Sequence, residues 1–344
     1  GNLIKFQAKQ KDFEKIPGTP IAYWVSDKVR NIFENSLKIE DFGFAPTQNK
    51  TANNEKYLRF LWEINNKFKD IKWVKYSKGG EFRKWYGNID NVIDWSDSAK
   101  EFYKNNKTSN LMEKEYWYKK GISYSAITSS DLSFRHNNNH ISDMKGPTFL
   151  LDELFYLLGL LNNKFSNNMI KILNPTVSIQ VRDIKNIPVI FPRDTQLKKY
   201  TNNLVQQNIS ISKEEWDSRE TSWDFERSSL IDDKDLKTAY ENYCSHWRDN
   251  FVQLHKNEEE LNRLFIEIYE LQDEMDEKVS FDDITILKKE AKIVEIDNSK
   301  AREFSSESER YLYDRGVCLE FNKDELVKQF LSYAIGCIMG RYST

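Results

Sequence analysis

Cysteine is scarce in this chain. Cys244, Cys318 and Cys337 are far apart and odd in number. That pattern excludes a disulfide framework and a thiolate zinc site, and it fits a reducing, cytoplasmic compartment. Long apolar runs are missing too. The longest, 149–161, is interrupted by Asp152 and Glu153, so it reads as a buried helix rather than a leader or a membrane span, and no membrane partner is expected. Histidine is rare. His136 and His140 are four apart, a spacing that shares a metal only on a helix, and the three asparagines between them read as a loop. No metal is expected there. The chain also opens on Gly1 without an initiator methionine, as a piece of something longer would.

Catalytic signatures are lacking as well. Methylating an amino group on DNA requires a glycine-rich cofactor turn and an Asn/Asp-Pro-Pro-aromatic loop. No such turn follows a buried strand, and Asn174-Pro175-Thr176 has neither the second proline nor the aromatic. Asp283 with Glu290-Ala291-Lys292 faintly resembles the Asp…Glu-x-Lys set of magnesium nucleases. Lys288 and Lys289 precede it in charged surroundings, so a solvated segment is the expectation. No catalytic residue and no cofactor are expected in this chain.

What is present is a folded chain with a real core: 344 residues, 39% hydrophobic and 14% aromatic, enough for two domains. The charge is divided unevenly. Residues 1–200 carry 32 Lys and Arg against 22 Asp and Glu, whereas 201–344 carry 19 against 32. Only the first half suits a polyanion; the acidic half suits protein contacts.

The expected class is α+β, a mixed α/β region followed by a mainly α-helical one. Residues 1–40 read as a linker and short helix with Val25, Val29 and Phe33 on its apolar stripe, 41–195 as the mixed domain, and 196–344 as the helical domain. Strands are expected at 72–76, 91–95, 116–118, 122–127 and 177–181. Helices are expected at 148–161, on to 173 before Asn174-Pro175, and at 197–207, 236–255, 257–272 and 324–339, with Asn257 capping the fifth of these six.

Residues 72–88 interleave five cations (Lys72, Lys75, Lys78, Arg83, Lys84) with five aromatics (Trp73, Tyr76, Phe82, Trp85, Tyr86) around a Gly79-Gly80 turn, with Glu81 the one acid. Cations neutralise phosphates, aromatics stack or pack, and glycines let backbone amides approach a polyanion. A solvated hairpin with an amphipathic core face explains the same composition. Arg59, the serines Ser123, Ser125, Ser129 and Ser130, Arg135, Gln180, Arg182 and Lys185 share the basic half. Singly each reads as structural or solvated; together they are suited to lining one groove.

Read in order, several segments resemble the C-terminal half of BREX-type (phage-exclusion, PglX-like) adenine-specific DNA methyltransferases, relatives of the type IIG restriction–modification enzymes. They are 11–18 with 22–26, 78–88, 121–130, Lys145-Gly146, 173–189, 215–218 with 222–225, 257–274 and 332–342, which cover nearly the whole chain. One departure stands out: where such enzymes tend to have Thr-Gly-Asp/Asn-Asn, this chain has Thr51-Ala52-Asn53-Asn54.

The resemblance implies a DNA target-recognition domain followed by a helical domain. The S-adenosylmethionine site and methyltransferase core would belong to an N-terminal part of the full-length protein, and that core would be a partner of this chain. Duplex DNA is the implied substrate, and other phage-defence proteins are implied partners for the acidic half; a protein-interaction module without DNA readout is the alternative. Major-groove logic then pairs Arg83 or Arg135 with guanine, Asn53, Asn54 or Gln180 with adenine, and the serines with either. Lys75, Lys78, Lys84 and Lys185 become phosphate contacts, with Gly79, Gly80, Tyr86, Arg59 and Arg182 along the same surface.

Overall fold

The computed structural model describes residues 25–127, 131–231, 233–299 and 302–342. The class is α+β, as composition and pattern imply. The first helix among the described residues, Asp27–Asn35, begins where Ser26 Oγ accepts the Val29 amide at 3.2 Å, and it buries Val29, Ile32 and Phe33.

Two four-stranded sheets follow. In one, Gly43–Phe44, Thr148–Leu151, Gly121–Tyr124 and Phe134–Asn137 lie in that order, all antiparallel, with Ile122 opposite His136 and Ser123 opposite Arg135. In the other the order is Leu58–Phe60, Asn91–Asp94, Trp73–Ser77 and Ile141–Ser142. The last pair there is parallel, Tyr76 beside Ile141 and Ser77 beside Ser142, so the chain leaves both strands at the same end. That end carries the candidate site.

Several sequence expectations are corrected. Residues 114–116 form a 3-10 turn, so 116–118 is no strand. Thr148–Leu151 is a strand, because Thr148 and Phe149 complete the first sheet against Ser123 and Ile122. The helix starts only at Leu154, after Glu153 turns the backbone at φ 56°. At 177–181 only Ser178 bridges, to Ile127, and a short helix, Val181–Lys185, takes over.

In the helical half, Thr195–Asp217 and Leu236–Ile268 pack together, the second 33 residues long. Asn257 sits inside it and caps nothing: its Nδ2 donates to Asn208 Oδ1 at 2.8 Å and Gln207 Oε1 at 2.9 Å. A buried amide satisfied across a helix pair need not end a helix. The 283–292 segment is not solvated throughout, since Ala291–Glu295 pairs with Val317–Phe321 as an antiparallel ribbon and Glu290 is buried.

One hydrophobic core crosses residue 195. Ile122, Tyr124, Phe134 and Phe149 of the sheet share it with Leu204, Val205, Leu264 and Phe265 of the helices. Gly159 lets its helix approach Thr195–Asp217 closely, because a Cβ there would meet Val205 Cγ2 at 2.8 Å. The second sheet has its own smaller core of Tyr57, Val74, Tyr76, Ile93, Trp95, Tyr103 and Ile141.

Candidate nucleic-acid interface

Beyond Ser77 the chain runs into Lys78-Gly79-Gly80, and beyond Ser142 into Asp143-Met144-Lys145-Gly146. Asp143 ties the two together: its amide donates to the Ser77 carbonyl at 2.8 Å, and its Oδ2 accepts the Tyr76 hydroxyl at 2.6 Å. Its Oδ1 accepts the Lys145 amide at 2.8 Å and its carbonyl accepts the Gly146 amide at 3.0 Å, closing a tight turn. Gly79 (φ 84°) and Gly146 lie back to back; a Cβ on Gly146 would meet the Gly79 nitrogen at 2.3 Å. No other residue type fits that contact.

A third segment joins them. The Ala126 amide donates to the Lys145 carbonyl at 3.0 Å, and Ser125 Oγ donates to the Gly80 carbonyl at 2.9 Å. A fourth follows, the Ile179 amide donating to the Ala126 carbonyl at 3.0 Å. Gln180 begins the Val181–Lys185 helix, its amide held at 2.8 Å by Asp183. The result is one rim of four adjoining segments. It unites Lys78, Gly79, Gly80, Gln180, Arg182 and Lys185 from the sequence expectations, with Ser125 buried beneath them, and adds Lys145, which the Asp-x-x-Gly turn pattern beside a lysine would have revealed. Ser129 and Ser130 lie outside the described residues.

The other expected residues are placed differently. Arg83 is not a base reader. Its side chain is 6% exposed, pairs with Glu215 at 2.7 Å, and donates to the carbonyls of Tyr86, Ser212 and Thr285. Burial pushes the Glu215 carboxyl up, but the charges of Arg83 and Arg219 outweigh it and hold it below its ordinary value. Lys84 is no phosphate clamp, because it is buried and paired with Glu258, whose other oxygen accepts the Trp85 indole N–H at 2.8 Å. Lys75 pairs with Asp224 of the helical half at 3.1 Å. Tyr86 is buried beside Ile89 and Trp216, and Ser123 is buried in its strand.

Arg135 cannot reach a base either. It is 1% exposed, donating to the Arg83 carbonyl at 3.1 Å and to Ser125 Oγ at 3.2 Å. Among the described residues no carboxylate pairs with it, so a positive charge lies directly under the rim. Burial, and then the like charge of Arg83, push its guanidinium down from its usual value. Asn53 and Asn54 are exposed, Asn53 capping the Asn54–Tyr57 turn and Asn54 accepting the Thr51 hydroxyl. Ala52 stands at φ 57°, the left-handed conformation that glycine adopts freely. Arg59 sits on the edge strand, two strands from Trp73–Ser77, donating to the carbonyls of Glu55 and Leu58 at 2.6 Å.

No group of three or more His, Cys, Asp or Glu among the described residues is arranged to hold a metal. His140 is buried rather than on a loop surface, and His136 is in a strand. Glu290 is held by Arg219 at 3.1 Å and Gln329 at 2.9 Å. No helix among the described residues is long and apolar enough to cross a membrane.

Sequence comparison decides the kinship. Adenine-specific methyltransferase PglX of Lacticaseibacillus casei (strain Zhang) is 30% identical over 367 residues, spanning 98% of this chain. The chain is similar to adenine-specific methyltransferases over nearly its whole length. Adenine-specific methyltransferase BrxX of Escherichia coli O9:H4 (strain HS) is 27% identical over 97% of the chain. The chain spans only 28% and 27% of the length of these two relatives. No family model matches it. Among solved structures, the type IIL restriction-modification enzyme MmeI in complex with DNA overlaps 69% of this chain and 34% of its own, at 11% identity and a TM-score of 0.42, a likeness too loose to argue from.

Proposed function

We propose that this chain is the DNA sequence-recognition part of an adenine-N6 DNA methyltransferase of a phage-defence or restriction–modification system. The observation that carries the reading is its 30% identity to adenine-specific methyltransferase PglX over 98% of its own length. Another part of the full-length protein would bind S-adenosylmethionine and transfer the methyl to an adenine flipped from the duplex. This chain would choose the adenine. The domain division at 40/41 and 195/196 belongs to the same reading, with the rim on the 41–195 part.

The rim supports it physically. Lys78 and Lys145 stand on the two loops that Gly79 and Gly146 pack together, the charge of Arg135 lies beneath, and exposed Gln180 is of a type that reads adenine. Asn53 and Asn54 remain candidates for base contacts on a neighbouring surface.

Fluorescence anisotropy of a labelled duplex, titrated with the chain at a series of salt concentrations, tests this. Binding that weakens steeply with salt is expected. Absence of binding at low salt would overturn it. A methylome comparison of cells with and without the full-length protein would give the site.

One observation favours a protein contact in addition. Val327, Leu331 and Ile335 recur at four-residue intervals along the Lys323–Ile338 helix and are 40%, 53% and 55% exposed. A stripe of that spacing is suited to a partner surface. In this reading the acidic half meets other defence proteins or the methyltransferase core.

A further inference from the structure

The rim carries an apolar feature that phosphate neutralisation does not use. Met144 is 52% exposed at the second position of the Asp143–Gly146 turn, where polar residues or proline are usual. Ile127 and Val177, on the two adjoining segments, are 64% and 65% exposed. Hydrogen bonds from Ala126 to Lys145 and from Ile179 to Ala126 set these segments side by side. Met144, Ile127 and Val177 are thus exposed apolar side chains on adjoining segments that also carry Lys145, Gln180 and Arg182.

The turn under Met144 is rigidly mounted. Asp143 is bonded to Ser77, Tyr76, Lys145 and Gly146, the Asn49 amide donates to the Ser142 carbonyl at 2.9 Å, and Gly79 leaves no slack behind the loop. A side chain displayed on such a base loses little entropy when it enters a partner. Methionine is long, unbranched and polarisable, which suits contact with the flat faces of bases.

We propose that Met144 is a wedge that enters a base step of the duplex held by the rim, positioning the DNA by partial unstacking. This rests on the DNA-recognition reading. Unstacking a step kinks the duplex, which lets more of the protein meet it. Lys78 and Lys145 would hold the phosphates on either side.

The test uses the 344-residue chain and the duplex it enriches from a random-sequence pool, with 2-aminopurine placed at successive positions. Binding should raise the fluorescence severalfold at one step. Met144→Ala should return it to the level of free duplex with an unchanged salt slope, and Met144→Leu should restore it. If no position responds, or the alanine variant responds like the parent, the wedge is overturned while recognition stands. If no sequence is enriched and no duplex binds at low salt, recognition fails and the wedge with it.

Discussion

Arg83 donates from Nη1 to Glu215 Oε2 at 2.7 Å, joining the basic-aromatic segment to the helix Thr195–Asp217 in a pair with 6% and 1% side-chain exposure. Its role is to hold the two halves together. Arg83→Ala would take one of two arginines from the buried Glu215 carboxylate, which keeps Arg219 and the Leu287 amide, and would remove a donor from three interior carbonyls. Breaking a buried pair costs about 3–5 kcal/mol, and the retained Arg219 puts the loss at the low end. Denaturant unfolding should show that loss. A variant as stable as the parent, with altered base preference, would restore the base-reading role.

Ala52 should gain from becoming glycine. At φ 57° an alanine carries strain of about 1 kcal/mol that glycine does not, and its position is exposed. Ala52→Gly is expected to raise the urea midpoint correspondingly. A lowered midpoint would mean that backbone freedom in the unfolded chain outweighs the strain.

Lys78→Ala and Lys145→Ala should each weaken duplex binding on every sequence alike. Each should reduce the slope of log affinity against log salt by about one. An unchanged slope for either would remove that lysine from the interface.

Acid should destabilise the fold through His140. Burial above all pushes its imidazole down to about 3, opposed by a hydrogen bond with the Asn138 carbonyl and reinforced by Lys75, His136 and Arg135. The unfolded imidazole titrates near 6.5, at about the ordinary value. Between those values the unfolded chain binds a proton that the folded chain excludes, so stability falls as pH falls, by up to about 1.4 kcal/mol per pH unit. Unfolding midpoints from pH 7.5 down to 4.5 should trace this, and His140→Gln should flatten it. An equally steep limb in the variant would assign the effect to other groups.

The α+β class and most elements with strong periodicity were legible in the sequence: Asp27–Asn35, Trp73–Ser77, Asn91–Asp94 and Lys323–Ile338 lie within a residue or two of their expected places or bounds. Thr148–Leu151 was not, because a short apolar run reads alike as a buried strand or the start of a helix, and here pairing with Gly121–Tyr124 decides. Arg83, Lys84 and Arg135 were misread for a related reason. Composition registers a cation but not the carboxylate or carbonyl that meets it, and the partners of Arg83 and Lys84 lie 132 and 174 residues away. The Gly79-Gly80 turn was legible because a glycine pair specifies local backbone behaviour, and both residues stand at positive φ. Met144 was invisible, since a lone methionine says nothing of exposure until its turn is built.

On the proposed DNA-recognition reading, the pairs Arg83–Glu215 and Lys84–Glu258 set the unit in which specificity would change hands. Transplanting residues 41–195 alone into a related scaffold would carry two cations away from their carboxylates. The recipient must offer acids at both places, or the graft must bring the helices of its own second half. Exchange of individual rim loops, which leaves both pairs intact, is the smaller step by which a new recognition site could arise.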